Sequence, residues 1–62
     1  MQKFKHHVFM PGETVQGIIR KYNRQVLTPA QLLELHREYD RLNGTTVPRA
    51  GEARKVPLLQ VP

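Results

Sequence analysis

Residues 6–22, HHVFMPGETVQGIIRKY, decide the fold, because a Pro-Gly pair there separates a β-like run from a run with helical spacing. Upstream, KFKHHVFM (residues 3–10) alternates imperfectly and is rich in Phe and Val, which predicts a short strand over residues 3–9. Pro11-Gly12 ends it. Thr14 then has the chemistry of a helix cap, its hydroxyl accepting from a free N–H of the first turn, with Glu13 at the positive end of the helix dipole. Val15, Ile18, Ile19 and Tyr22 fall at i, i+3, i+4 and i+7, one apolar stripe for a core, while Arg20, Lys21 and Arg24 complement the negative pole.

Further along, TPAQ places Thr28 at a cap, Pro29 at the first helical position and Gln31 where a capping box wants Glu or Gln. This predicts a second helix from Pro29 to about Leu42, stopped by Asn43-Gly44 in a left-handed turn. Leu32, Leu35, Tyr39 and Leu42 form its apolar stripe, widened by Leu33 and His36, and Glu34, Arg37, Glu38 and Arg41 form a charged face. TTVPRAGEAR reads as a loop, and KVPLLQ (residues 55–60) as a second strand, with Pro57 suited only to an edge or an end. The order is strand, helix, helix, strand. Two strands alone are marginal, so the expected fold is α+β, a two-stranded antiparallel sheet with both helices packed on one face. Its core is expected to contain Ile18, Ile19, Leu32, Leu35 and Tyr39.

Sixty-two residues make a single domain near the lower size limit for independent folding, too small for a large enzyme pocket. With no cysteine, neither a disulfide staple nor a Cys-based zinc site is available. No apolar run is long enough for a signal peptide or a membrane span. Ten Lys and Arg against five acidic residues give a formal net charge of +5, which favours anionic partners. The cations are nevertheless dispersed and do not alternate with aromatics, which argues against nucleic acid.

His6 and His7 are neighbours on a strand and point to opposite faces, so they do not converge on one metal ion, and His36 is alone on its helix. Structural roles are expected for all three. Tyr22 and Tyr39 share helical spacing with aliphatics, as core residues with an exposed hydroxyl do. Glu34 and Glu38 lie one turn apart beside Arg37 and Arg41, a solvated ion-paired face. No nucleophile has a base and an orienting partner, so no enzymatic activity, cofactor or metal is expected.

Taken in order, these pieces resemble the LysM domain, a βααβ module. Phe9, Gly12, Glu13, Thr14, Val15, Ile18 and Tyr22 match the family's opening; LLELH and LNG resemble its middle; and GEARKVP, residues 51–57, resembles its closing run. Each motif is weak alone, but three in order over residues 3–59 are fairly specific. The resemblance implies a shallow groove for the N-acetylglucosamine units of peptidoglycan or chitin, with Gly12, Glu13, Thr14 and Val15 on one lip and Asn43, Gly44 and Thr45 on the other. Turn and cap chemistry accounts for the same residue types without any ligand. Glu13 replaces the usual Asp, Arg54 stands at a usual Leu, the second helix is longer than typical, and either His36 or Asn43 corresponds to the family's closing asparagine.

With Met1 close before the first strand and Pro62 close after the last, the chain is expected to be a free-standing module with no export signal. It resembles in this the small LysM-like proteins of phage tails and baseplates, of the tail protein X type. That resemblance implies a non-catalytic adaptor in a virion, bound to larger hub, tube or baseplate proteins through Glu34, Arg37, Glu38 and Arg41 and through Arg49, Arg54 and Lys55. The alternative is a peptidoglycan- or chitin-binding module of the bacterial cytoplasm or cell wall.

Overall fold

A computed structural model describes residues 3–24 and 27–59. The elements run β1 (Phe4–Val8), α1 (Val15–Tyr22), α2 (Pro29–Asn43) and β2 (Ala53–Pro57). The strands pair antiparallel, with Phe4 opposite Pro57, His6 opposite Lys55 and Val8 opposite Ala53. This is the βααβ order expected from the two caps and the two apolar stripes.

Each helix starts where its cap dictates. Thr14 Oγ accepts from the Gly17 N–H at 3.0 Å. Thr28 and Gln31 complete a reciprocal capping box at 3.1 and 2.9 Å, with Pro29 just inside the first turn. The positive-φ stop after α2 is Gly44 alone, since Asn43 is the last helical residue.

Phe9, just after β1, and Val56 of β2 enter the buried core, to which the helices contribute Ile18, Ile19, Leu35 and Tyr39. Leu32 is half-buried against this cluster, as are Val15, Tyr22, Leu27 and Leu59. Leu33 does not widen the α2 stripe. It is 52% exposed. The helices rest on β2, and β1 reaches the rest of the molecule through that strand and through inward side chains.

The second strand begins two residues earlier than its sequence suggests, at Ala53, because a tight turn over residues 49–52 finishes the loop first. Gln60, at the end of the expected strand, lies outside the described residues. Backbone groups of β2 alternate between two sides. Those of Val56 and its neighbours at 54 and 58 face β1, as Leu58 N–H donating to Lys3 C=O at 2.9 Å shows. Those of Lys55, Pro57 and Leu59 face the other way, where a third strand would lie. Two asparagine side chains occupy that position instead.

Asn43 accepts from the Lys55 N–H at 2.8 Å and donates to the Lys55 C=O at 2.7 Å. Asn23 donates to the Pro57 C=O at 3.2 Å and accepts from the Leu59 N–H at 2.7 Å. Each amide also donates back to its own helix, Asn23 to Ile19 C=O and Asn43 to Tyr39 C=O, so each ties a helix C-terminus to the strand. Pro57 fits because its missing N–H belongs to this outer edge, where Asn23 needs only its carbonyl.

Asn23 is buried and Asn43 is only half-buried. Asn23→Ala therefore strands a buried carbonyl and a half-buried N–H, and should cost about 1–3 kcal/mol for each group left unpaired. Water can reach the groups released by Asn43→Ala, so its cost should be clearly smaller. Urea denaturation of the two variants checks this ranking, and equal losses would contradict the assignment of Asn23 as the buried latch.

Candidate functional site

The two sequence fragments MPGE and RAGE fold into the same device. In each, the Glu N–H donates to the carbonyl of the first residue, Glu13 to Met10 at 3.2 Å and Glu52 to Arg49 at 3.0 Å. In each, the Glu carboxylate accepts in return from that first residue's N–H at 2.7 Å. The glycine at the third position has a positive φ, 86° at Gly12 and 89° at Gly51, as a type II turn requires. The turns sit side by side at one end of the sheet, because Phe9 N–H donates to Glu52 C=O and Gly51 N–H donates to Phe9 C=O.

This arrangement engages the polar side chains of the first expected lip. Glu13 Oε1 also accepts from His7 Nε2 at 3.0 Å, Thr14 caps α1, and Val15 packs against the core. On the second lip Asn43 latches Lys55 and Gly44 closes α2, while Thr45 is exposed. The segment bonded next to Phe9 is the 49–52 turn, and Asn43 is bonded farther down β2 at Lys55. Of the two residues considered for the closing asparagine, Asn43 holds the strand by its side chain. His36 is half-buried on α2.

His6 and His7 do point to opposite faces. His6 stacks edge-on against Phe4 on the face away from the helices, with ring centroids 5.5 Å apart. His7 turns inward between Glu13 and Tyr22, its Nδ1 lying 3.0 Å from the Tyr22 hydroxyl. An ionised Glu13 only accepts, so Nε2 carries a proton; in the neutral ring Nδ1 then accepts from the Tyr22 O–H. Among the described residues, no three His, Asp or Glu side chains gather as metal ligands, and no helix is long and apolar enough to cross a membrane.

The seven residues expected to contact a partner do not form one patch. Glu34, Arg37 and Arg41 are exposed and Glu38 is half-buried on α2, where Glu38 is paired with Arg41. Arg49 is exposed at its turn. Lys55 lies on the opposite face of the sheet, its ammonium 5.4 Å from the centre of the Phe4 ring, a cation–π contact.

Arg54 departs from the expectation of a surface contact. It faces inward across from His7, its side chain is only 17% exposed, and its guanidinium donates to the Ala53 carbonyl and to Glu52. Beneath it lies Tyr39, whose hydroxyl is buried rather than exposed. Among the described residues, neither that oxygen nor Arg54 Nε has a hydrogen-bond partner. Burial pushes the Tyr39 phenol up and Asp40 adds to this, while Arg54 opposes both, by its charge and by side-chain donors that lie near the hydroxyl without reaching hydrogen-bond geometry.

Comparison of the chain with family models, curated proteins and solved structures finds no match in any of the three. The structural case for function accordingly rests on the chain itself.

Both turn carboxyls are held below the usual carboxylate range, Glu13 chiefly by the Met10 N–H and then by His7, Glu52 chiefly by the Arg49 N–H. In that range the folded chain binds fewer protons than the unfolded one. The stability they contribute is complete above the ordinary carboxylate pKa and is lost as pH falls through the lowered folded values. A Glu13→Gln, Glu52→Gln double variant keeps an acceptor but cannot titrate there. Its urea midpoint should vary less with pH across that acid window than the wild type's.

Tyr39→Phe deletes a buried hydroxyl that has no bond to lose. An unsatisfied buried polar group costs about 1–3 kcal/mol, so the variant should be as stable as the wild type or more so. A lower melting temperature would show that the hydroxyl is paired in solution.

Proposed function

We propose that this chain is a non-catalytic, LysM-like adaptor that joins larger proteins in a phage tail, baseplate or similar particle. One observation carries the reading. The side chains that a glycan groove would use for recognition, Glu13, Thr14 and Asn43, are bonded within the chain, whereas Glu34, Arg37 and Arg41 stand exposed along the outside of α2. A groove that recognises a neutral sugar needs polar groups free to bond acetamides and hydroxyls. A protein contact can instead use arginines, which pair bidentately with carboxylates and are enriched at interfaces.

The net charge of +5 suits an acidic partner surface. A domain this small also gains stability from burial in an assembly, since anything that binds only the folded form shifts the equilibrium toward it. The peptidoglycan- or chitin-binding reading keeps a narrower basis, in the backbone groups of the paired turns and in Thr45.

Replacing Arg37 and Arg41 together by Glu tests the adaptor. Exposed ion pairs contribute little to stability, so the fold should persist. Incorporation of the variant into particles, followed by mass spectrometry, should fall to background. Normal assembly of the variant, or binding of N-acetylglucosamine oligomers by the wild type with loss on Thr14→Ala, would transfer the function to the glycan reading.

A further inference from the structure

The two edges of the sheet are treated differently. The β2 edge is filled by Asn43 and Asn23. On β1 the ladder uses the backbone groups of Lys5 and His7, so those of Phe4, His6 and Val8 point outward. Among the described residues, no hydrogen bond takes up the N–H or C=O of these three. No helix covers the edge, since both helices rest on β2. Phe4 and Val8 are exposed on the face away from the helices, and Val8 is 52% exposed.

An unpaired row of N–H and C=O groups is a template for another strand. Charge selects the occupant. Lys5, His6 and His7 follow one another on β1, Lys55 stands opposite His6, and residues 1–12 contain no acidic side chain. A second copy added antiparallel about His6 would set Lys5 diagonally across from its own equivalent on the same face. Like charges brought together across a strand pair destabilise it, and each copy carries a net charge of +5 with histidine neutral. An extended segment with carboxylates opposite Lys5 and His6, and with β-branched residues opposite Phe4 and Val8, meets no such repulsion.

We infer that the outer edge of β1 binds an extended acidic segment of a partner protein by strand addition, extending the sheet to three strands. The inference rests on the adaptor reading only in taking a protein as the occupant. Its test uses the isolated chain, so it can fail while the particle experiment succeeds, and the reverse.

The probe is the capped peptide Val-Thr-Glu-Glu-Val-Thr, and its control has Lys in place of both Glu. Amide hydrogen exchange of Phe4, His6 and Val8 is followed by NMR in the full chain. With the acidic peptide at ten times its dissociation constant, exchange of all three should slow by about tenfold, and the Lys peptide should have no effect. His6→Pro removes one outward donor and no rung of the β1–β2 ladder, just as Pro57 is tolerated on the other edge. Slowing at Phe4 and Val8 should vanish in His6→Pro and persist in His6→Ala, a distinction that a side-chain contact would not make.

Lys5→Glu, which leaves every backbone group in place, should exchange the preference and bind the Lys peptide. Four results would overturn the inference: no slowing with the acidic peptide; equal slowing with both peptides; undiminished slowing in a folded His6→Pro; or slowing that grows with protein concentration alone, which would assign the edge to a second copy.

Discussion

The free side of β2 must be satisfied, and the rest of the molecule is arranged around how that is done. A two-stranded sheet is marginal in water, and its exposed backbone would compete for solvent just where the helices need to pack. Asn43 and Asn23 present a carboxamide, which has the same donor and acceptor as a peptide group, in the place of a third strand. Both amides sit at helix C-terminal ends. The same side chains therefore complete the sheet, add a further donor to a last-turn helix carbonyl, and fix where each helix ends relative to the strand. With β2 held between the β1 ladder and these two side chains, Val56 has no exposed surface and becomes the point where both helix stripes meet.

This economy has a cost elsewhere. Among the described residues no further element covers β1, whose outer edge carries lysine and histidine, side chains that discourage pairing with a like strand. The turns at the end of the sheet are equally spare. Each is closed by one glutamate that satisfies a backbone N–H, and Glu13 also positions His7 over Tyr22. Glu13 and Thr14 at the first turn and Glu52 at the second are bonded within the chain, and the proposed adaptor function rests on that distribution.

Much of this was legible in advance, and what was missed has physical causes. Thr14, Thr28, Pro29 and Gln31 act through bonds only a few residues long, so their sequence spacing predicts the helices directly. The stripe of Ile18, Ile19, Leu35 and Tyr39 is equally local in origin. Asn23 was overlooked because its partners, Pro57 and Leu59, lie far along the chain. A signal was present nonetheless: Asn23 stands four residues after Ile19 and Asn43 four after Tyr39, so both extend an apolar stripe with an amide. A polar residue on the core face has to find a buried partner. The sequence places the start of β2 too late because the composition of RAGE suggests open loop, although its Gly-Glu pair repeats that of MPGE.

Arg54 is the residue at which local rules conflict. Its position on β2 faces the core, beside Val56 and opposite His7, where an aliphatic side chain would satisfy the pattern. Arginine meets that demand in part, since its methylenes can cover Tyr39 while its head group reaches outward to Glu52 and to the Ala53 carbonyl. The fit is incomplete, because Nε and the Tyr39 hydroxyl are both buried without a bond. What the arginine adds is a connection: from beside Tyr39, whose phenol feels its charge, it reaches the carboxylate that closes the 49–52 turn, and that turn is bonded through Phe9 to the strand leading into its counterpart at residues 10–13. A leucine there would pack better and leave Glu52 held by Arg49 alone. The conflict at Arg54 thus couples the end of the sheet to the helices, so that a partner engaging either turn would act on a unit continuous with the core.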